Sequence, residues 1–263
     1  VDAFGADLHA GLYHSARIPD RGFQISLEFT YMSAHFSEAD KTFTAVTEGG
    51  FQPEQTAEAP TVVGPTEAVY VDGDAGTQFA FPGGFDLESF DFGVPQLRLG
   101  SLYGTEALIQ LGLIYPGEED IGDISLYGVG IRHCVSRYFN DLPVDLAIGA
   151  FWQRFSLEDK ERSGDLVTAD AWSVGVQTSK RISRFEPYAG VAYDDFEMEL
   201  SYEGDTAEDR IEMSLDSDDH FHATVGLSFI VGFAALYGEY NIGGQDAFAL
   251  GMAVGYPSFS IGE

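Results

Sequence analysis

The sequence is poor in positive charge, in lysine above all, and in cysteine. Thirteen basic residues face 43 acidic ones, a formal net charge of −30, which repels phosphate backbones and excludes nucleic acid as a partner. Only Lys41, Lys160 and Lys180 of those basic residues are lysines, the usage of a protein that faces high salt. The single cysteine, Cys134, excludes an intramolecular disulfide framework and a thiolate metal site. Long apolar runs are missing too. The longest, Phe229–Gly238, falls short of the roughly 18 residues that a membrane-crossing helix needs. Helical spanning is thereby excluded, whereas spanning by strands is not. No amphipathic helix is legible, and no charged-then-apolar leader stands before Val1, so an export signal is expected to have been removed.

Present in quantity are 31 glycines, 21 phenylalanines and 13 tyrosines, in a chain that is 44% hydrophobic. That composition argues for β structure and against disorder. Between Gly22 and Tyr31, Phe23, Ile25, Leu27, Phe29 and Tyr31 fall on one face, and Gln24, Ser26, Glu28 and Thr30 on the other. The same period of two returns over Thr105–Tyr115 and Val144–Gln153. Further strands are predicted at about 6–17, 94–103, 123–137, 166–179, 186–202, 219–231, 233–242 and 246–256, eleven in all. Many are longer than the roughly five or six residues of a soluble strand, and match the about nine to eleven that cross a bilayer.

The connections alternate in length. Short ones fall near 18–21, 104, 138–142, 180–185 and 232, and longer, acidic or irregular ones at 37–93, 116–122, 157–165 and 203–218. Barrels of the bacterial outer membrane have that asymmetry, and normally an even strand count. The expected fold is therefore all-β, a closed antiparallel transmembrane β-barrel of about 12 strands. The twelfth would come from Lys41–Thr47, from Ala68–Asp72 or from a strand before Val1. Residues 1–263 read as a single domain, with 37–93 a long insert at or inside one mouth.

Opposite the apolar rows the residues are mostly small, including Gly100, Gly112, Gly128, Gly130, Gly149, Gly226 and Gly251. A soluble two-sheet protein would explain the alternation but not this row, because glycine weakens a strand and a wet face normally carries Lys, Glu and Thr. If the apolar row faces lipid, the glycines face an interior where they make room for water or a plug. By that register the lumen-facing polar residues are Glu28, Arg98, Glu106, Gln110, Arg132, Asp145, Gln153, Gln177 and Glu239. Their opposed charges would brace the lumen or set ion selectivity. Tyr31, Tyr115, Tyr138, Trp152, Trp172, Tyr193 and Tyr256 lie near strand ends, where interfacial girdles sit.

Catalytic chemistry is not legible. His220 and His222, two apart on a strand, are weak metal candidates that lack a third ligand. His14 and Ser15 are neighbours whose side chains would point to opposite faces, so they would not share a hydrogen bond. Asp72-Gly73-Asp74 and Asp216–Asp219 offer oxygen ligands without the pattern of a calcium loop, so adventitious calcium at acidic loops is the only cofactor expected. No phosphate-binding glycine loop, nucleophile elbow or zinc-protease motif is found, and no enzyme is expected.

The runs Phe81-Pro-Gly-Gly-Phe-Asp-Leu87, Pro95-Gln96, Gly104-Thr105-Glu106, Gly128-Val-Gly-Ile-Arg-His133 and Leu142-Pro-Val-Asp-Leu146, with the early Gly11-Leu-Tyr-His-Ser-Ala16, resemble an uncharacterised family of Bacteroidota outer-membrane β-barrel proteins. The likeness runs from about Gly11 to the end. It implies a porin-like or transport role, loosely similar to long-chain fatty-acid channels, and an outer-membrane location. Such barrels commonly end on an aromatic, whereas Ile261-Gly-Glu263 follow Tyr256 and Phe259 here. The expected function is passage of small solutes through the outer membrane, with acidic loops attracting cations. A plugged structural or partner-binding barrel is the alternative, and a secreted soluble β protein a third reading. Outer-membrane lipid is the expected partner, with a homo-oligomer or an envelope complex as further options.

Overall fold

The computed structural model describes residues 2–19, 22–47, 50–114, 123–139, 141–158, 165–203, 210–217 and 220–256. They form two compact units, 1–33 with 91–263, and 34–90. A short helix, α1 (Asp2–His9), precedes β1 (Gln24–His35). Four short strands follow: β2 (Thr42–Val46), β3 (Thr56–Pro60), β4 (Val69–Asp72) and β5 (Gln78–Phe81). Then come β6 (Ser89–Leu102), β7 (Thr105–Ile114), β8 (Ile124–Cys134), β9 (Asp145–Glu158) and β10 (Asp165–Ser179). The last are β11 (Phe185–Glu203), β12 (Arg210–Asp216), β13 (Phe221–Val231), β14 (Ala234–Ile242) and β15 (Ala247–Tyr256).

The larger unit is a closed antiparallel barrel. Its strands follow the order β10-β9-β8-β7-β6-β1-β15-β14-β13-β11, and β11 pairs back onto β10 to shut the ring. Ten strands close it, the even number that such barrels favour, while β12 pairs with the far half of β11 over Glu197–Glu203. The eleven strands read from the sequence reduce to ten in the ring because 6–17 is not in the wall. That stretch is the end of α1 followed by chain without regular secondary structure. Two of the three candidates for a twelfth strand, Lys41–Thr47 and Ala68–Asp72, do form strands, β2 and β4, but in the smaller unit. There β2 pairs with β3 and β4 with β5 as hairpins, around a core of Ala45, Ala59 and Phe81.

The barrel is apolar outside and polar inside. Along β1, Leu27 is 64% exposed and Glu28 2%; Ile25, Phe29 and Tyr31 share the outer face, and Ser26 and Thr30 the inner. β7 repeats this, with Leu111 and Leu113 outward and Glu106, Leu108 and Gln110 inward. A water-soluble barrel has the opposite arrangement, so the outer face is a lipid-facing surface. Of the girdle aromatics, Tyr31, Tyr138, Trp172, Tyr193 and Tyr256 are exposed, Trp152 is half-buried beside Trp172, and Tyr115 lies outside the described residues.

Local geometry explains the tight end of the barrel. β6 and β7 are joined by Tyr103 and Gly104 alone, at φ 51° and 73°, the left-handed pair of a two-residue hairpin turn. Inside, glycines give large side chains their room. A Cβ at Gly128 would lie 2.7 Å from Phe151, and one at Gly149 2.7 Å from Arg132.

Candidate functional site

The barrel interior is occupied by the chain itself. Residues 8–19 touch strands all around the ring, which only a segment inside the ring can do. Gln153 of β9 donates to the Leu8 carbonyl. The Gly11 amide donates to Glu239 of β14 at 2.6 Å, and its carbonyl accepts from Gln96 of β6 at 3.1 Å. Ser228 of β13 donates to the His14 carbonyl at 2.6 Å. Arg132 of β8 donates to the Ser15 carbonyl at 2.7 Å, and the Ala16 amide donates to Ser179 of β10 at 2.9 Å. The segment thus descends from α1, where Phe4 packs edge-on against Phe155 and Phe196, to the tight-turn end, where Ser101 donates to the Pro19 carbonyl.

A chain of charges lies across its middle. Arg98 bonds Glu28 at two points, 2.9 and 3.0 Å, and Glu106 at 2.7 Å. Arg132 bonds the same Glu106, through Nε at 2.9 Å, and donates to Gln177 at 2.8 Å. All four charged residues are buried. Isolated charges there would carry a large desolvation cost, so each is paired and hydrogen-bonded. The lumen segment joins this network: Arg98 reaches the Leu12 carbonyl at 3.4 Å, His14 lies 3.3 Å from Glu28, and the Tyr13 ring sits beneath the Arg132 guanidinium at 4.6 Å. Leu12 fills the remaining space against Leu108 and Phe151.

Seven of the nine polar residues assigned to the lumen from the sequence contact this arrangement. Glu28, Arg98, Glu106, Arg132 and Gln177 form the charge chain, while Gln153 and Glu239 hold the segment. Gln110 is buried beside Gly128. Asp145 lies apart, half-buried at the tight-turn end, in an open depression shared with Arg17 and Arg181. His14 and Ser15 turn to different carboxylates, Glu28 and Glu186. His220 and His222 also part. His220 stacks on Tyr193 with Nδ1 3.2 Å from the Asp194 carbonyl, whereas His222 bonds the Asp194 carboxylate near His9 of α1. Among the described residues no group of three His, Cys, Asp or Glu side chains could hold a metal ion. In the acidic run Asp216–Asp219, Asp218 and Asp219 lie outside the described residues.

Sequence reasoning missed Gln96, Ser179, Glu186, Asp194 and Ser228. Gln96 shares the inward parity of Arg98 on one strand, so alternation could have found it. Ser179 likewise shares the parity of Gln177, and Ser228 that of Gly226; what alternation does not give is their partner, the backbone of residues 8–19.

One family model matches residues 1–256, almost the whole chain. The chain belongs to the family of unknown function DUF6588. Among curated proteins none matches this DUF6588 member. Solved structures similar to it include a loop-deletion mutant of OmpT, an outer membrane protein of Vibrio cholerae, at 12% identity and a TM-score of 0.30, covering 89% of this chain and 98% of that one. Another is the outer membrane protease OmpT of Escherichia coli, at 9% identity and a TM-score of 0.35, covering 91% of this chain and 96% of that one. A third is the toluene transporter TbuX of Ralstonia pickettii, at 8% identity and a TM-score of 0.25, covering 92% of this chain and 90% of that one.

Proposed function

We propose that this DUF6588 protein is a transport channel of the bacterial outer membrane, closed at rest by its own residues 2–19 and passing small solutes when that segment shifts. The observation that carries this reading is the nature of the closure. The wall meets the backbone of residues 8–16 through individual hydrogen bonds from polar, buried side chains, beside small separate apolar clusters at Leu12 and at Ala16 and Ile18. An interior built only for rigidity would be better filled with apolar side chains, since buried ion pairs add little net stability. The resemblance to Bacteroidota outer-membrane barrels, and more loosely to long-chain fatty-acid channels, supports a transport role. The surplus of acidic residues favours cations near the mouths.

The occupied lumen also supports a second reading, a barrel that stays plugged and serves as an anchor or as a subunit of an envelope assembly. Single-channel conductance in a planar bilayer separates the two. The refolded chain is compared with a Gly11→Pro/Leu12→Asp variant, which removes the amide bonded to Glu239 and puts a charge against Leu108 and Phe151. Rare steps in the native chain and sustained steps in the variant are the expected result. A variant that inserts, loses protection over residues 8–16 and stays silent would overturn the channel.

A further inference from the structure

The wall of the barrel reads main chain. Seven backbone groups between Leu8 and Ala16 are met by seven different wall side chains: the carbonyls of residues 8, 11, 12, 14 and 15, and the amides of residues 11 and 16. Donors and acceptors are both supplied. Arg98, Arg132 and Gln96 offer N–H groups to carbonyls, and Glu239 and Ser179 offer oxygens to amides. A plug folded as a helix or hairpin would satisfy these groups internally, because nearly every buried backbone group has a partner. Here residues 12–19 carry no regular secondary structure of their own. The side chains add little that is sequence-specific at Ala10, Gly11 and Ala16, which are small and buried.

We infer that the lumen is a binding site for polypeptide main chain, held occupied by a tethered ligand, residues 8–16 of the same chain, which run from the last turn of α1 into chain without regular secondary structure. The ligand class follows from the chemistry. Five wall donors and two wall acceptors spread along a nine-residue stretch match the carbonyls and amides of a peptide backbone, as in other modes of peptide recognition where main-chain bonds give affinity and a few side-chain pockets give selectivity. Those pockets are visible: the apolar one that takes Leu12 against Leu108 and Phe151, and the arginine face that takes Tyr13. The inference deepens the channel reading by naming its solute class, and binding itself can be read without conduction.

The test uses the full chain in detergent, carrying Gly11→Pro/Leu12→Asp. Hydrogen exchange over residues 8–16 reports release of the segment. Three fluorescent 14-residue peptides are titrated by anisotropy: a copy of residues 6–19, a copy N-methylated at the positions of Gly11 and Ala16, and a copy with its side chains scrambled around the fixed glycine. The plain copy should bind the variant at least tenfold more tightly than the native chain. N-methylation should weaken binding at least tenfold, and scrambling should weaken it less than N-methylation does. Release without peptide binding, or equal binding of plain and N-methylated copies, would overturn the inference. Persistent protection of residues 8–16 would also overturn it, by showing that these contacts are not what holds the segment. A variant that conducts but binds no peptide leaves the channel standing and sinks this inference, and one that binds peptide but stays silent does the reverse.

Discussion

Arg98 grips Glu28 with both Nε and Nη2, at 2.9 and 3.0 Å, inside a barrel whose outer surface is apolar. The two residues sit on neighbouring strands, β6 and β1, and both are buried. Neither charge has bulk water to fall back on, so the pair ties the wall to the segment beside it.

Removing one member of that pair leaves the other buried and uncompensated. Arg98→Met is expected to destabilise the barrel by about 3–5 kcal/mol, measured as a shift of the urea unfolding midpoint in detergent or lipid. Adding Glu28→Gln should return more than half of the loss, since the orphaned carboxylate disappears with it. An additive double variant would show that the two residues do not act as a pair.

The lipid-facing assignment makes a prediction of its own. Val129 is at the centre of β8 and exposed on the outer face. Val129→Arg should cost about 2–4 kcal/mol in a bilayer, the penalty for arginine near the membrane midplane. On the surface of a water-soluble protein the same change would fall within about 0.5 kcal/mol of neutral. Folding into lipid vesicles, followed by the gel shift of folded against unfolded protein, distinguishes the two.

The inner glycines are spacers. Gly251 lies under the ring of Tyr237, whose hydroxyl bonds Thr30 at 2.6 Å and whose face stacks on His14 at 4.6 Å. Gly251→Val should overpack the wall by about 1–3 kcal/mol and displace Tyr237, loosening the lumen segment at His14. Faster hydrogen exchange around residue 14, with the wall strands still protected, is the expected pattern.

Cys134 is a built-in reporter. It is the only cysteine in the sequence, and it is buried with Ala16 and Ile18 of the lumen segment and Ala147 of the wall. In the native chain it should react slowly with a maleimide, and in the Gly11→Pro/Leu12→Asp variant at least tenfold faster, as followed by mass spectrometry. Equal rates would mean that residues 16–18 stay seated when the middle of the segment is disturbed.

Alternation alone determined that the chain is built of long strands with one apolar and one polar face. The length of those strands, with the glycine row opposite the apolar one, was enough to place the apolar face outward. Glu28, Arg98, Glu106 and Arg132 were legible as interior charges for the same reason, since a period of two assigns a face to every residue of a strand. The region from residue 6 to 17 marks where that reasoning stops. Leu8, Ala10, Leu12 and Ala16 alternate as they would in a wall strand, yet the structure buries Asp7, His9 and Gly11 between them as well. The period of two is met there by chain that ends α1 and then runs without regular secondary structure. Whether that backbone pairs into a sheet or lies inside it depends on closure of the ring, and closure is set by pairings between residues far apart in the chain, β1 with β15 and β1 with β6. Only the tertiary structure decided that ten strands close the barrel and that the chain fills its own lumen.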